Sequence, residues 1–155
     1  MTATGDPLRR RGNTPMSRPS FRLSVRVYYE DTDAAGVVYY AGYLKFLERA
    51  RTEWLRALGF EQARLVEDMG IAFAARSISA EYLKPARLDD LLTVVSTVES
   101  LGRAQLVFAQ RVERGKDLLL TAKMRIACFD PVRGKATAIP TSIHQKLKAL
   151  IGKQA

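Results

Sequence analysis

The feature that most constrains this chain is one long helical pattern placed between an alternating segment and a series of strand-like segments. In residues 40–58, apolar side chains recur at the spacing of one helix face, and Gly59 follows as a C-terminal cap. Residues 21–29 alternate between apolar and polar side chains, which predicts a strand with one exposed face. Because the long helix and the strands are segregated along the chain, we predict an α+β domain with this helix across one curved antiparallel sheet.

The segments after the long helix are strand-like and are separated by turn sequences. Strands are predicted at residues 71–82, 91–98, 103–113, 118–128 and 135–139, with turns at 114–116 and 130–134. Residues 30–36 read as a polar loop, and shorter helices are predicted at 61–69 and 141–151. The 118–128 strand is expected to bury an alternating set, namely Leu118, Leu120, Ala122, Met124, Ile126 and Cys128.

The length and composition indicate one soluble domain, which we assign to residues 21–155. The segment that precedes it has a different composition. Residues 1–20 carry glycines, prolines and arginines without periodicity, so we predict a disordered basic extension. No run of about 18 apolar residues occurs, so we expect no membrane insertion, and no apolar stretch resembles a secretory signal. With one cysteine, Cys128, and one histidine, His144, neither an internal disulfide nor a zinc site is expected. The cysteine usage favours a cytoplasmic location.

The chain is strongly basic, with a formal net charge of +9. Such a charge suits a polyanionic partner, either nucleic acid or a nucleotide-bearing cofactor such as coenzyme A, and it also serves solubility. The basic residues are spread along the chain, and no zinc finger, RNA-binding aromatic pair or basic heptad region accompanies them. We therefore predict no nucleic-acid partner.

The long helix carries charge within its apolar face. The apolar sector is expected to contain Tyr43, Leu44, Leu47, Ala50, Trp54, Leu55 and Leu58. Arg51 falls near the middle of this sector and Glu48 at its edge, three residues earlier, so the two side chains can pair. A buried charge is costly unless it is paired. Two interpretations stay open: the pair satisfies itself at a subunit contact, or Glu48 points into a polar pocket and positions water or substrate.

Residues 28–40 form the motif with the most chemical content. Asp31 and Asp33 lie in a loop just before the helix, and Gly36 allows a sharp turn. The free N–H groups at a helix start favour a negative oxygen, so an acid beside them forms a coherent hydrolytic site. Helix capping is the alternative role for such acids. Because His144 is the single histidine, a serine or cysteine triad is not expected, and a carboxylate must drive any hydrolysis.

The complete motif closely resembles that of the YbgC-type and 4-hydroxybenzoyl-CoA thioesterases of the hot-dog superfamily. The resemblance rests on the Asp-Thr-Asp-x-x-Gly-Val-Val-Tyr segment, on the Tyr-Leu…Glu-Arg-Ala-Arg segment of the helix, and on residues 79–90; it extends over residues 21–150. It implies a hot-dog fold and hydrolysis of acyl-CoA or acyl-carrier-protein thioesters, without a metal or redox cofactor. It also implies a homodimer or homotetramer whose active site lies at a subunit interface.

The same resemblance implies roles for individual residues. Asp33 is the catalytic carboxylate, either as a nucleophile or as a general base on water. Apart from the resemblance, we assign Asp31 to the loop and the helix cap. The backbone N–H of Tyr40 holds the thioester oxygen; many YbgC-type members have histidine here. Glu48 is the remaining catalytic candidate. The candidates for binding the coenzyme A phosphates are Arg76, Lys84, Arg87 and Arg103.

Two other functions are compatible with the same fold. One is a non-catalytic module that binds acyl-CoA or acyl carrier protein, and the presence of Asp33 argues against it. The other is a hot-dog dehydratase, but such enzymes usually rely on a histidine that the 28–40 loop lacks. We therefore predict a thioester hydrolase.

Overall fold

The computed structural model describes residues 18–151, and its strands form one antiparallel sheet in the order β1-β3-β4-β5-β2. The strands are β1 Phe21–Arg26, β2 Ala72–Tyr82, β3 Leu91–Leu101, β4 Gln105–Arg114 and β5 Asp117–Asp130, and the short β6 Lys135–Ala136 pairs with β5. The helices are α1 Tyr43–Ala57, α2 Gln62–Met69 and α3 Thr141–Ile151. The predicted α+β hot-dog arrangement is confirmed. Most of the expected N-terminal extension, residues 1–17, lies outside the described residues.

Helix α1 packs its buried face against the inner face of the sheet. Phe46, Leu47 and Ala50 are fully buried and belong to the same core cluster as Leu92 and Val94 of β3. Burial of apolar surface at this contact is the main force that holds the helix in place.

The buried face of α1 is shifted relative to the predicted sector. Phe46 was missed, although its side chain is fully buried, whereas Leu44 was placed in the sector and is 37% exposed. The sheet covers the Phe46 side of the apolar stripe, and Leu44 borders an open groove instead. The other predicted members, from Tyr43 to Leu55, are buried, and Leu58 is partly buried.

A β-bulge in β5 changes which leucines face the core. Val112 pairs with Leu120 but Glu113 pairs with Leu118, so Leu119 is an extra residue in the ladder. As a result Leu119 and Leu120 are both buried, while Leu118 is exposed. The predicted inner position of Leu118 is therefore wrong. From Leu120 to Cys128, the predicted alternation is confirmed.

Two predicted boundaries near the motif are also corrected. β1 ends at Arg26 rather than at residue 29, because the chain turns away after Val27 into a short 3₁₀ turn, Tyr29–Asp31. Residues Tyr40–Gly42 form a second 3₁₀ turn, so the α-helical geometry begins three residues after the predicted start. At the far end the last strand is shorter than the predicted 135–139 segment. Within residues 18–151, no helix combines the length and apolar character needed to cross a membrane.

The core position of Phe46 gives a direct test of this packing. Because its side chain is fully buried, Phe46→Ala should lower the free energy of unfolding by about 3–5 kcal/mol. Val66 on α2 is exposed, so Val66→Ala should change it by less than about 0.5 kcal/mol. Urea denaturation followed by circular dichroism measures both. An equal loss of unfolding free energy in the two variants would contradict the core position of Phe46.

Candidate active site

Asp33 lies in a tight turn that its own backbone and side chain close. Its N–H donates to the carbonyl of Val37 at 2.9 Å, and its carbonyl accepts from Gly36 N–H at 2.9 Å. The Ala35 N–H donates to Oδ1 of Asp33 at 2.9 Å. Gly36 has φ +79°, a conformation that favours glycine. The turn holds one carboxylate oxygen in place, and Oδ2 has no hydrogen bond to any residue in the 18–151 range.

Tyr40 begins the 3₁₀ turn that leads into α1. The first N–H groups of a helix lack acceptors within the helix, and no group among residues 18–151 accepts from the Tyr40 N–H. Gly42 N–H donates to the carbonyl of Tyr39 at 2.7 Å, and the hydroxyl of Tyr82 donates to the carbonyl of Tyr40 at 3.0 Å. The Tyr40 N–H is therefore a free donor in a turn that is held on both sides.

Asp33 and Tyr40 line one cavity of about 440 Å³. Its other walls are mostly apolar or aromatic and come from Val37, Val38, Tyr39, Tyr43, Tyr82, Leu83, Lys84 and Pro85. A hydrogen bond with the Tyr40 side chain raises the pKa of Tyr39, and burial raises the pKa of Tyr43. Both phenols therefore stay neutral at physiological pH. The structure thus brings together three predicted site residues, Asp33, Tyr40 and Lys84.

The predicted role of Asp31 as a cap of α1 is wrong. The residue before α1 is Gly42, and no side chain bonds to that end. Asp31 is instead buried, and its Oδ2 accepts the N–H of Tyr28 at 2.8 Å, which closes the preceding 3₁₀ turn. Its Oδ1 lies 3.7 Å from Nζ of Lys45 on α1. Asp31 therefore anchors the loop to the helix by charge and turn geometry.

Glu48 and Arg76 lie in a different cavity from Asp33. They line a groove of about 500 Å³ between α1 and the edge strand β2, together with Arg51 and mostly apolar side chains. Glu48 and Arg76 are both exposed in the single chain. Within one chain, therefore, the structure separates these two candidates from the Asp33 cavity.

The buried guanidinium of Arg51 has a hydrogen-bond partner other than Glu48. Its Nη1 donates to Oε1 of Gln110 at 3.0 Å, and no Arg51–Glu48 ion pair is present in the described part of the chain. Gln110 Nε2 donates in turn to the Leu47 carbonyl at 3.0 Å and to Ser96 Oγ at 2.9 Å. Burial lowers the pKa of Arg51, and the charge of Glu48 partly offsets this. The predicted mutual pairing is therefore corrected.

Gln110 could have been found from the sequence. In the predicted 103–113 strand, its position shares a face with Leu106, Phe108 and Val112, all of which are buried. A glutamine in such a series needs internal hydrogen-bond partners. That requirement points to a polar group on the facing helix, and Arg51 supplies it.

Arg87 and Arg103 lie outside both cavities. The backbone N–H of Arg87 donates to Oδ2 of Asp90 at 2.8 Å, and its side chain is exposed in the loop beside the Asp33 cavity. Arg103 is exposed in the connection from β3 to β4, and its carbonyl accepts from Ile139 N–H. Of the four basic candidates, only Lys84 lines the cavity of Asp33.

A cluster of charges centred on Arg114 was missed from the sequence. Its Nη1 donates to Asp90 Oδ2 at 2.9 Å and to the Pro85 carbonyl at 3.1 Å, and its Nη2 lies 3.3 Å from Asp117 Oδ2. Asp117 also pairs with Lys84 at 3.1 Å. This cluster ties the 83–90 loop, which lines the Asp33 cavity, to the β4–β5 hairpin.

The remaining reactive groups do not form a second centre. Burial raises the pKa of the Cys128 thiol to about 11, so it is a neutral thiol at physiological pH. In the segment from residue 18 to residue 151, no three His, Cys, Asp or Glu side chains converge in a way that could hold a metal ion. Asp33 lines a cavity, and of its two carboxylate oxygens only Oδ1 is engaged in a hydrogen bond with residues 18–151.

Comparison with known proteins shows the family to which the chain belongs. A model described as the thioesterase superfamily matches residues 35–121. The acyl-CoA thioester hydrolase YbgC of Escherichia coli O6:H1 is 46% identical over 134 residues, which cover 86% of this chain and 99% of that protein. The acyl-CoA thioesterase YbgC of Haemophilus influenzae is 46% identical over 79% of this chain and 90% of that protein. The crystal structure of a probable thioesterase from Bartonella henselae has a TM-score of 0.76 at 35% identity, covering 79% of this chain and 100% of that one.

The chain belongs to the thioesterase superfamily, and the family resemblance predicted from its motifs is confirmed. It is an enzyme, a thioester hydrolase with the hot-dog fold. The range matched by the family model begins at residue 35, two positions after Asp33.

The Arg114 cluster predicts a specific dependence of stability on pH. Burial opposes ionisation of Asp90, but the Arg87 N–H and the Arg114 guanidinium outweigh it and lower the pKa of Asp90. Lys84 and then Arg114 lower the pKa of Asp117. A carboxylate with a lowered pKa stabilises the fold above its unfolded-state pKa, and this contribution is lost as the pH falls through the folded-state pKa.

We therefore expect Arg114→Gln to lower the melting temperature at neutral pH. The difference from the unmodified protein should shrink below about pH 4, where the carboxylates protonate. Differential scanning calorimetry from neutral to acidic pH measures this difference in melting temperature. Arg64 forms an exposed ion pair with Asp68, so Arg64→Gln should change the melting temperature little at any pH. A deficit for Arg114→Gln that persists unchanged in acid would refute the role of the cluster.

Proposed function

We propose that this protein hydrolyses acyl-CoA thioesters at Asp33, with the Tyr40 N–H holding the carbonyl oxygen. The observation that carries the proposal is that Asp33 and Tyr40 line one cavity, and that neither Oδ2 of Asp33 nor the Tyr40 N–H has a hydrogen-bond partner among residues 18–151. Such a donor stabilises the oxyanion that forms when a thioester carbonyl is attacked. The YbgC relatives are named as acyl-CoA thioesterases, which supports this substrate class.

The chemistry can follow either of two balanced routes. As a nucleophile, Oδ2 of Asp33 attacks the thioester carbon, the C–S bond breaks, and the thiolate leaves and takes up a proton; water then cleaves the acyl-aspartyl anhydride. As a general base, Asp33 takes a proton from water while the water oxygen attacks, and the proton passes to the leaving thiolate. In both routes Oδ1 stays bonded to Ala35 N–H, which orients the carboxylate.

The basic residues near the cavity supply charge for the phosphates of coenzyme A. Lys84 lines the cavity and shares its charge with Asp117, and Arg87 is exposed in the same loop. Arg76 and Arg103 contact the phosphates only if the bound coenzyme A extends beyond the cavity. An acyl carrier protein is the alternative thiol carrier, since its phosphopantetheine arm presents the same thioester.

We further propose that two copies join along β2 to form a homodimer, from which a homotetramer can be built. β2 is an edge strand, and its residues from Ala74 to Ser79 are exposed. An unpaired edge with an apolar groove beside it is a template for another strand. Ile78 is 42% exposed although it faces the helix side with Met124. In such an assembly, Glu48 and Arg76 lie at the interface, where Glu48 can position water or substrate.

The proposed enzyme is one domain, residues 21–155, that follows an N-terminal extension. We assign it to the cytoplasm, where coenzyme A thioesters are available and where a lone buried thiol such as Cys128 is common. A metal or redox cofactor has no part in either hydrolytic route.

The role of Asp33 is tested by an isosteric change. Asp33→Asn should keep the melting temperature and lower kcat by roughly 10²-fold or more, because an amide is neither a nucleophile nor a base. Tyr40→Phe should change kcat only mildly, since the backbone holds the oxygen. Asp68→Asn, the same change in an exposed acid of α2, should have no effect. Initial rates on acetyl-, hexanoyl- and benzoyl-CoA measure all three. Full activity of Asp33→Asn would overturn the proposal.

The proposed subunit contact is tested by placing a charge on the β2 edge. We expect light scattering to give a mass at least twice the 17.3 kDa of one chain. Ile78→Asp should shift the protein towards monomer and lower activity, since it buries a charge at the contact. Val132, in the β5–β6 turn, is 92% exposed, so Val132→Asp should leave the mass unchanged. A fully active monomer of the unmodified protein would exclude the shared site.

A further inference from the structure

Tyr82 is the last residue of β2, and its side chain reaches the turn that begins α1. We propose that its hydroxyl is a positioning group for catalysis: it fixes the Tyr40 turn so that the Tyr40 N–H meets the thioester oxygen. This inference rests on the proposed function, because it concerns the same oxyanion donor. Tyr82 lies in the 79–90 segment of the motif, where the sequence assigned it no role, and it lines the Asp33 cavity.

The hydrogen bonds around Tyr40 show why an outside donor matters. The Tyr40 N–H belongs to the same peptide unit as the Tyr39 carbonyl, which accepts from Gly42 N–H at 2.7 Å. The next peptide unit carries the Tyr40 carbonyl, which accepts from the Tyr82 hydroxyl at 3.0 Å. A 3₁₀ turn of three residues has weak internal geometry. The Tyr82 hydroxyl therefore ties a short turn to a long strand at the residue whose N–H must be aimed.

The other tyrosine hydroxyls of the cavity have different partners. The Tyr43 hydroxyl accepts from Ala86 N–H at 3.0 Å, and the Tyr39 hydroxyl interacts with the Tyr40 side chain. The Tyr82 ring packs against Tyr40 and Tyr43, with centroids 6.2 and 5.7 Å apart. Tyr82→Phe keeps both ring contacts and removes one hydrogen bond. The hydroxyl can therefore be tested separately from packing.

The expected result is a selective loss of turnover. Removing one hydrogen bond that orients the donor should lower kcat by roughly 3- to 10-fold. KM for the acyl-CoA should stay unchanged because the binding contacts are kept, and the melting temperature should change little because the lost hydrogen bond is exposed to solvent. Tyr29 is exposed and outside the cavity, so Tyr29→Phe is the matched control and should keep the full kcat. An unchanged kcat in Tyr82→Phe overturns the inference while leaving the role of Asp33 intact.

A spectroscopic measurement separates positioning from a merely structural effect. Among acetyl-, hexanoyl- and benzoyl-CoA, the best substrate is labelled with carbon-13 at the carbonyl and bound to the slow Asp33→Asn enzyme. We expect its infrared carbonyl stretch to lie below that of free thioester, and to move back towards the free value when Tyr82→Phe is added. A stretch that does not move on adding Tyr82→Phe overturns the inference. A stretch equal to the free value with Tyr82 intact overturns the Tyr40 oxyanion site, and this inference with it.

Discussion

The packing of α1 against the inner face of the sheet is the contact on which the rest of the molecule depends. Phe46, Leu47 and Ala50 are fully buried there, and this burial sets where the start of the helix lies. The start of the helix carries the 3₁₀ turn of Tyr40, which opens on the same cavity as Asp33. The hydrophobic contact of α1 with the sheet therefore fixes where the Tyr40 turn lies relative to the cavity that Asp33 also lines.

Polar contacts then fix the position of the 83–90 loop relative to α1 and the 28–40 motif. Ala86 donates its N–H to the Tyr43 hydroxyl, and its carbonyl accepts from Val38 N–H, so one residue of the 83–90 loop holds both the helix and the 28–40 motif. Arg114 holds that loop from its other side through the Pro85 carbonyl and Asp90. The Ala86–Tyr43 hydrogen bond is buried, whereas the Arg114 and Asp90 side chains are partly exposed, so their ion pair alone contributes little to stability. Their value lies in geometry, because a catalytic donor must be placed to within a fraction of an ångström.

The order of elements could be predicted from the sequence because helix and strand periodicities are local. The alternation of β5 predicted its buried face from Leu120 to Cys128, but Leu118 failed because a bulge depends on the partner strand. Asp33 and Tyr40 could be proposed from a short motif, whereas the Arg51–Gln110 contact joins residues 59 positions apart. Arg114 and Tyr82 were missed for the same reason: their partners are neighbours only after the sheet has formed.

We propose that the thioester binds between Asp33 and the Tyr40 N–H, and not in the groove that contains Glu48. The most direct measurement is a crystal structure of the Asp33→Asn variant with an intact acyl-CoA. We expect the thioester oxygen within hydrogen-bond distance of Tyr40 N, and the carbonyl carbon in van der Waals contact with the amide that replaces the carboxylate. A thioester bound elsewhere, with its carbonyl beside Glu48 and beyond the reach of Tyr40 and position 33 of either subunit, would rule out this site.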